Sequence, residues 1–162
     1  MRFQVGDKIV HPQHGAGIIS AVEWKRIGGE NRSYYVMHIS KGDIRLMIPT
    51  ESCEQIGVRP VMEPEQAELV FSAIPGLEVS EDKNWNRRYR ENMANVQSGD
   101  LLRVASVIKS LVRREAEKGL TNGERKQLHA AKQILISEIM LAQGTEYEEV
   151  ERRLMLAMEH ET

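Results

Sequence analysis

The sequence predicts an α+β protein of two domains: a small, strongly bent β-barrel, then an all-helical domain of about five helices. Three observations carry this. Up to about residue 57 the apolar runs are short and are broken at Gly6-Asp7, Gly28-Gly29 and Lys41-Gly42-Asp43, the punctuation of strands joined by turns. After Ile56 the two-residue alternation stops, and Pro60, Pro64 and Pro75 interrupt an acidic stretch. Beyond residue 65 the apolar residues recur at three- and four-residue spacing, as on one face of a helix. The domains are accordingly placed at 1–57 and 65–162.

In the first domain, Ile44, Leu46 and Ile48 point to one side of a strand while Arg45 and Met47 point to the other. Val36 and the Tyr35, Met37, Ile39 set belong to a neighbouring strand, joined to it through the Gly42 turn. About five strands in so short a stretch suit a small barrel. In the second domain, Glu65 to Ile74 allow a short first helix. Asn84 is placed to cap a second, which carries Trp85, Tyr89, Met93 and Val96 on one face. Leu101, Val104, Ile108, Leu111 and Val112 define a third that ends near Gly119. Thr121-Asn122-Gly123-Glu124 reads as a capping box opening a fourth, with Leu128, Ala131, Leu135 and Ile139 inward and Gly144 at its end. Thr145-Glu146-Tyr147-Glu148 reads as a second box opening a fifth through Val150, Leu154 and Met158. Short turns make the last three helices antiparallel neighbours.

Composition excludes several classes. Of 162 residues, 41% are hydrophobic and 28% charged, as in a water-soluble domain. No apolar run approaches the roughly 18 residues of a membrane span, and the first residues lack the apolar segment of a secretory signal. The single cysteine, Cys53, provides neither a disulfide framework nor a CxxC metal site and fits a reducing cytoplasm, the expected location. The formal charge of −2 conceals segregation: residues 1–60 carry +2, 61–82 carry −6, 83–133 carry +7 and 134–162 carry −5. A near-neutral chain can therefore present a concentrated cationic surface.

The densest part of that surface is Lys83-Asn84-Trp85-Asn86-Arg87-Arg88-Tyr89-Arg90, four cations with two interleaved aromatics and no acid. Guanidiniums bind phosphates bidentately, and an indole can stack on an unpaired base or wedge into a base step. Periodicity alone also allows Trp85 to pack inward with Tyr89 and Met93, leaving the arginines as a solvated rim. A first-turn tryptophan, however, sits at a helix tip, where it can protrude. Arg113-Arg114 and Arg125-Lys126 fall near the turn between the third and fourth helices and can extend the same surface, or serve only as solubilising charges.

Other constellations are weaker. His11 and His14 with Cys53 lack a fourth zinc ligand, so no metal and no cofactor are expected. There is no GxSxG, HExxH or glycine-rich phosphate loop, and Gly15-Ala16-Gly17 lacks the helix that dinucleotide binding requires, so an enzyme is not expected. Arg45 and Met47, with Trp24-Lys25-Arg26 on a preceding strand, form an apolar and cationic strip. It suits either docking, through edge-strand pairing with a partner sheet, or protection of an edge.

Several of these residues resemble one family. Phe3-x-Val5-Gly6-Asp7-x-Ile9-Val10-x-Pro12-x-His14-Gly15 is similar to the opening of CarD/CdnL-type bacterial transcription regulators. Asn84-Trp85-x-Arg87-Arg88-Tyr89, then Ser98-Gly99-Asp100, Gly119-Leu120 and Gly123-Glu124, resembles their C-terminal domain. The match runs in register along essentially the whole chain. Transcription-repair coupling factors carry a module similar to the first motif, but a chain of 162 residues without helicase motifs favours the stand-alone regulator.

The resemblance implies a Tudor-like N-terminal domain that binds the β subunit of RNA polymerase and a helical domain that contacts promoter DNA. It implies that Trp85 wedges into the minor groove at the upstream edge of the melted bubble, with Arg87, Arg88 and Arg90 near the backbone there and Arg114 and Arg125 beside them. Polymerase contact is implied for Lys25, Arg45, Met47 and Ile48. Family members carry arginine where this chain has Lys25 and Met47; lysine keeps the charge without the bidentate fork, and methionine removes the charge. The expected function is therefore stabilisation of the open promoter complex by a non-enzymatic monomer whose DNA contact is largely independent of sequence. The rival is a protein–protein adaptor that docks on polymerase, or on another partner, without touching DNA.

Overall fold

The computed structural model describes residues 2–159, so the outermost ends assigned to the two domains, at residues 1 and 160–162, lie outside the described residues. Strands β1 (Lys8–His11), β2 (Gly15–Ile27), β3 (Glu30–Ile39) and β4 (Ile44–Pro49) are followed by a helical turn, α1 (Cys53–Ile56), and a two-residue strand, β5 (Arg59–Pro60). Helices α2 (Pro64–Ala73), α3 (Trp85–Val96), α4 (Leu101–Lys118), α5 (Asn122–Gln143) and α6 (Tyr147–Glu159) complete the chain, with one 3-10 turn at Ile74–Gly76. The α+β architecture and the helices of the second half agree with the sequence reading.

The strands form one antiparallel sheet in the order β4-β3-β2-β1-β5. A register shift between Ile19 and Ala21 on β2 supplies the bend. Its enclosed face buries Phe3, Ile9, Ile19, Tyr35, Met37, Ile39 and Ile48, roofed by Cys53 of α1 and by Val58. The Tyr35 hydroxyl accepts a hydrogen bond from the Phe3 amide at 3.0 Å and so ties down the amino-terminal segment. Beyond the bend, β2 and β3 run on as an arm on which all residues from Glu23 to Arg32 are exposed. Its tip, Gly28-Gly29, has φ of 62° and 82°, a turn that glycine adopts without strain. Strand β5 departs from the expectation that β structure stops after Ile56. It pairs Arg59 with Val10 and Pro60 with Ile9 at the sheet edge, where a proline is tolerated and two residues are too few to show alternation.

The helices enclose a second core, with Ile74, Val104, Ile108, Leu111, Leu135, Ile139 and Leu154 at its centre. Lys109, only 1% exposed, spends its ammonium group on the carbonyls of Ile74, Pro75 and Leu77 at 2.9, 2.8 and 2.9 Å, holding the turn that ends α2. The Thr121–Glu124 box caps α5 as expected. The second box does not form, because α6 begins only at Tyr147 and the Thr145 hydroxyl is buried with no hydrogen-bond partner. The inner face of α3 is also rotated from the expected one. Arg88, Asn92 and Val96 are buried, Tyr89 and Met93 are half-buried, and Trp85 stands outside. Apolar periodicity could not show this, since two of the three innermost residues are polar.

Helix α5 reaches both domains. Its middle packs on the start of β2, where the Ala16 amide donates to Ser137 Oγ at 2.8 Å. Gly15 has φ +102°, and a Cβ there would lie 2.5 Å from Ser137 Oγ and 3.1 Å from the Gln133 carbonyl oxygen. No helix among the described residues is long and apolar enough to cross a membrane.

Candidate nucleic-acid interface

Asp82 and Asn84 organise the start of α3. Asn84 Oδ1 accepts the Arg87 amide at 2.9 Å, an N-cap, and Asp82 Oδ1 accepts the Asn84 amide at 2.9 Å. Arg87 folds back so that its Nε donates to Asp82 at 2.6 Å, while its side chain stays largely exposed. The Arg87 guanidinium and the Asn84 amide hold the Asp82 carboxyl below its ordinary range, and Asp82 in turn raises Arg87.

Trp85 is 38% exposed and stacks on Tyr89, with ring centroids 5.0 Å apart and planes 14° from parallel. The pair lies against the first turn of α5 at Gly123; a Cβ there would be 3.4 Å from Tyr89 and 3.9 Å from Trp85. The Tyr89 carbonyl accepts from Gln127 Nε2 at 3.0 Å, so the backbone of α3 is pinned to α5 one turn further on.

Beneath the pair lies Glu124, only 2% exposed. Its carboxylate accepts from the Thr121 amide and hydroxyl, each at 3.2 Å, and from Arg88 Nη2 at 3.3 Å, with Arg114 Nε 3.6 Å away. Burial acts to raise the Glu124 carboxyl. The Thr121 hydrogen bonds, the Arg88 charge and the Trp85 indole N–H outweigh it, so the group lies below the ordinary glutamate value. Glu124 thus joins the ends of α3, α4 and α5.

The cations separate into two kinds. Arg87, Arg90 and Arg125 are exposed, the last two held lightly by the Asn86 carbonyl and Asn122 Oδ1. Arg114 is half-buried beside Glu124. Arg88 departs from the expectation that it lies along a DNA backbone: it is 3% exposed and bonded to Glu124 and to the Asp82 carbonyl, so its charge is spent inside the protein. A cleft of about 350 Å³ adjoins this cluster, rimmed by Lys83, Arg114 and Lys118 and by Asp82 and Glu117. Glu124, Tyr89 and Gln127 were not read as site residues. Glu124 showed itself only as the last member of a capping box, and nothing in the chain announces that its carboxylate also faces α3 and α4.

On the sheet, Arg45 and Met47 are exposed on the edge strand β4, where Met47 faces Val36 and Arg45 faces His38 on β3. Lys25 lies on the arm opposite Arg32, next to Trp24, which is 66% exposed. Ile48 differs from the expected contact residue, since its side chain is 2% exposed and belongs to the core. Only its backbone, on an open edge, is available. His11 and His14 pack ring to ring at 4.7 Å, and burial followed by the His14 charge lowers His11. Cys53 lies in the sheet core, and no group of three metal-ligating side chains comes together among the described residues.

Comparison with known proteins shows two family matches. Residues 3–62 match the CarD-like/TRCF RID domain and residues 69–155 match the CarD C-terminal domain. The chain belongs to the CarD family. YdeB of Bacillus subtilis (strain 168) is 35% identical over 142 residues, 88% of this chain and 93% of that one. The solution NMR structure of the 72-residue N-terminal domain of Myxococcus xanthus CarD is 29% identical, covers 36% of this chain and 77% of that one, and superposes with a TM-score of 0.32. The aromatic pair and Glu124 lie wholly within the region matched to the CarD C-terminal domain, and the arm and β4 within the other. This CarD-family chain is thus a transcription factor.

Proposed function

We propose that this transcription factor acts at initiation, docking on the β subunit of RNA polymerase through its sheet and gripping promoter DNA at the upstream edge of the bubble through Trp85. The observation that carries the reading is the placement of Trp85: at a helix tip, more than a third exposed, and held by a stacked tyrosine rather than free to swing. A surface tryptophan fixed in this way, with Arg87, Arg90 and Arg125 around it, has the chemistry of a wedge in the minor groove with phosphate contacts beside it. Arg114 adds charge at the flank, and Arg88 acts from beneath.

If the indole fits only distorted or melted DNA, its binding favours the open complex by its difference in affinity for the two states. A difference of about 1.4 kcal/mol shifts that equilibrium tenfold. Docking through Lys25, Arg45, Met47 and the backbone edge at Ile48 raises the local concentration of the helical domain near DNA, so weak intrinsic affinity suffices. The experiment is the lifetime of open complexes on a ribosomal RNA promoter with polymerase from the same source, comparing no factor, the protein, and Trp85→Ala. A longer lifetime with the protein but not with the folded variant is expected. Equal effects from both would move the DNA contact elsewhere, and no effect from either would leave docking alone as the function.

A further inference from the structure

Five buried side-chain atoms find no hydrogen-bond partner among the described residues, and three of them gather at one place. Arg88 Nε, Asn92 Nδ2 and Arg114 Nε belong to residues that line the cleft of about 350 Å³ between α3 and α4. All three are N–H donors, and Arg88 and Asn92 are only 3% and 4% exposed. Arg88 and Asn92 stand one turn apart on α3, and Ser110 and Arg114 one turn apart on α4. The segment from Val79 to Lys83 closes the space beside them, fixed by the Ser80 amide, which donates to Ser110 Oγ at 3.1 Å. Buried N–H donors require acceptors, and three on one cleft call for a group that presents several acceptor oxygens together.

The charge points the same way. Arg88 and Arg114 both face one carboxylate, that of Glu124, at 3.3 and 3.6 Å, so the cluster beside the cleft keeps an excess of positive charge. Asp82 is engaged by Arg87 at 2.6 Å, while Glu81 and Glu117 share the mouth with Lys83, Arg113 and Lys118. We propose that the cleft binds the phosphate group of a free small molecule, held by Arg88 Nε, Asn92 Nδ2 and Arg114 Nε with Lys83 and Lys118 at the mouth. Phosphate oxygens accept from several donors at once, and their bonds to guanidinium are charge-assisted. The volume falls at the lower end of the range for small-ligand sites, about 300–1,000 Å³. The donors are buried, within reach of a small anion but not of a phosphate fixed in a duplex backbone. Trp85 and Tyr89 lie instead against Gly123 of α5, so this site does not rest on the reading of Trp85 as the DNA contact.

The test titrates the full chain with inorganic phosphate and with pyrophosphate, holding ionic strength constant with chloride, and follows side-chain N–H signals by proton–nitrogen NMR. The Arg88, Asn92 and Arg114 side-chain signals should shift saturably with both anions. Asn92→Leu keeps the volume, removes one donor and should weaken binding about tenfold. Because it also removes a buried amide nitrogen that has no partner, the fold should tolerate it. Lys118→Gln, at the exposed mouth, should weaken binding about threefold and decides the matter if Asn92→Leu does not fold. Arg103→Gln, an equal loss of charge at the exposed start of α4, should leave binding unchanged. No saturable shift, a shift that chloride reproduces, or binding that neither Asn92→Leu nor Lys118→Gln weakens would overturn the proposal. A promoter duplex that moves the same three signals and displaces phosphate would also overturn it, by assigning these donors to the DNA contact. Trp85→Ala should bind phosphate as the parent does, so the failure of this site and the failure of the DNA reading are seen in different variants.

Discussion

Arg59 and Glu138 meet across the domain junction in a two-pronged ion pair, with Nη1 to Oε2 at 2.8 Å and Nη2 to Oε1 at 2.7 Å. The Met62 amide gives the same carboxylate a further bond of 2.8 Å. The segment in which the chain leaves the sheet is thereby stapled to the middle of α5. The partners are unequal, for Glu138 is fully buried while the Arg59 side chain is 35% exposed. The pair and its charge raise Arg59, with burial acting against them.

That inequality makes the two removals different. Arg59→Leu strands a buried carboxylate and should cost about 3 kcal/mol or more. Glu138→Gln leaves Arg59 able to turn to water and keeps an acceptor for Met62, and should cost about 1 kcal/mol. Urea denaturation of both at pH 7 checks the order; the reverse order would show that the carboxylate is not the costlier group to strand.

Gly15→Ala tests the other side of the junction. Its φ of +102° is unfavourable for alanine, and the added methyl would meet Ser137 Oγ at 2.5 Å. The expected outcome is a loss of about 2 kcal/mol or more, with the sheet and the helices melting in two resolved calorimetric transitions. A single unshifted transition would mean that the junction absorbs the methyl.

Trp85→Ala should be mild for stability. Truncating a buried tryptophan costs about 3–5 kcal/mol, but this one is 38% exposed and loses mainly its stack on Tyr89. We expect about 1–2 kcal/mol, measured by thermal melting. A loss of 4 kcal/mol or more would place the ring in the core and favour the adaptor reading.

Glu68 and Arg153 tie α2 to α6 through two bonds of 2.9 Å, and Arg153 also lies over the Phe71 ring at 4.0 Å. The Arg153 hydrogen bonds, helped by Gln143, lower the Glu68 carboxyl to about 2. Because the folded value is depressed, the contribution is fully present above the ordinary glutamate pKa and is lost as pH falls toward 2. The site is open to solvent, so it is worth about 1 kcal/mol at most. Glu68→Gln should therefore be slightly less stable than the parent at pH 7, and the gap should close between about pH 4.5 and 2 in urea titrations. A gap constant over that range would show that the carboxylate's charge contributes nothing.

Much of the fold can be read in the chain because it rests on local rules. The Ile44, Leu46, Ile48 alternation marks β4, and Asn84 and Thr121-x-x-Glu124 mark two helix starts, since a cap needs only neighbours three residues away. What escaped depends on distant partners. Arg88 and Lys109 look like surface cations until Glu124 and the Ile74–Leu77 carbonyls close over them. The same holds for Gly15, whose need for glycine comes from Ser137. Trp85 and the tyrosine it stacks on were visible at four-residue spacing, but the buried Glu124 beside Gly123 was not, because a carboxylate that meets Arg88 of another helix leaves no periodic trace.

Helix α5 meets Trp85 near its first turn, at Gly123, and Arg59 at Glu138, about 20 Å further along its axis at 1.5 Å per residue. The span between the sheet and the aromatic tip is therefore written as a number of residues rather than left to a flexible tether. One residue inserted between Gln127 and Ala131 would turn the tip about 100° relative to the sheet, while four would restore the heading and lengthen the span by about 6 Å. The molecule is a caliper, and its gauge can be reset in whole helical turns.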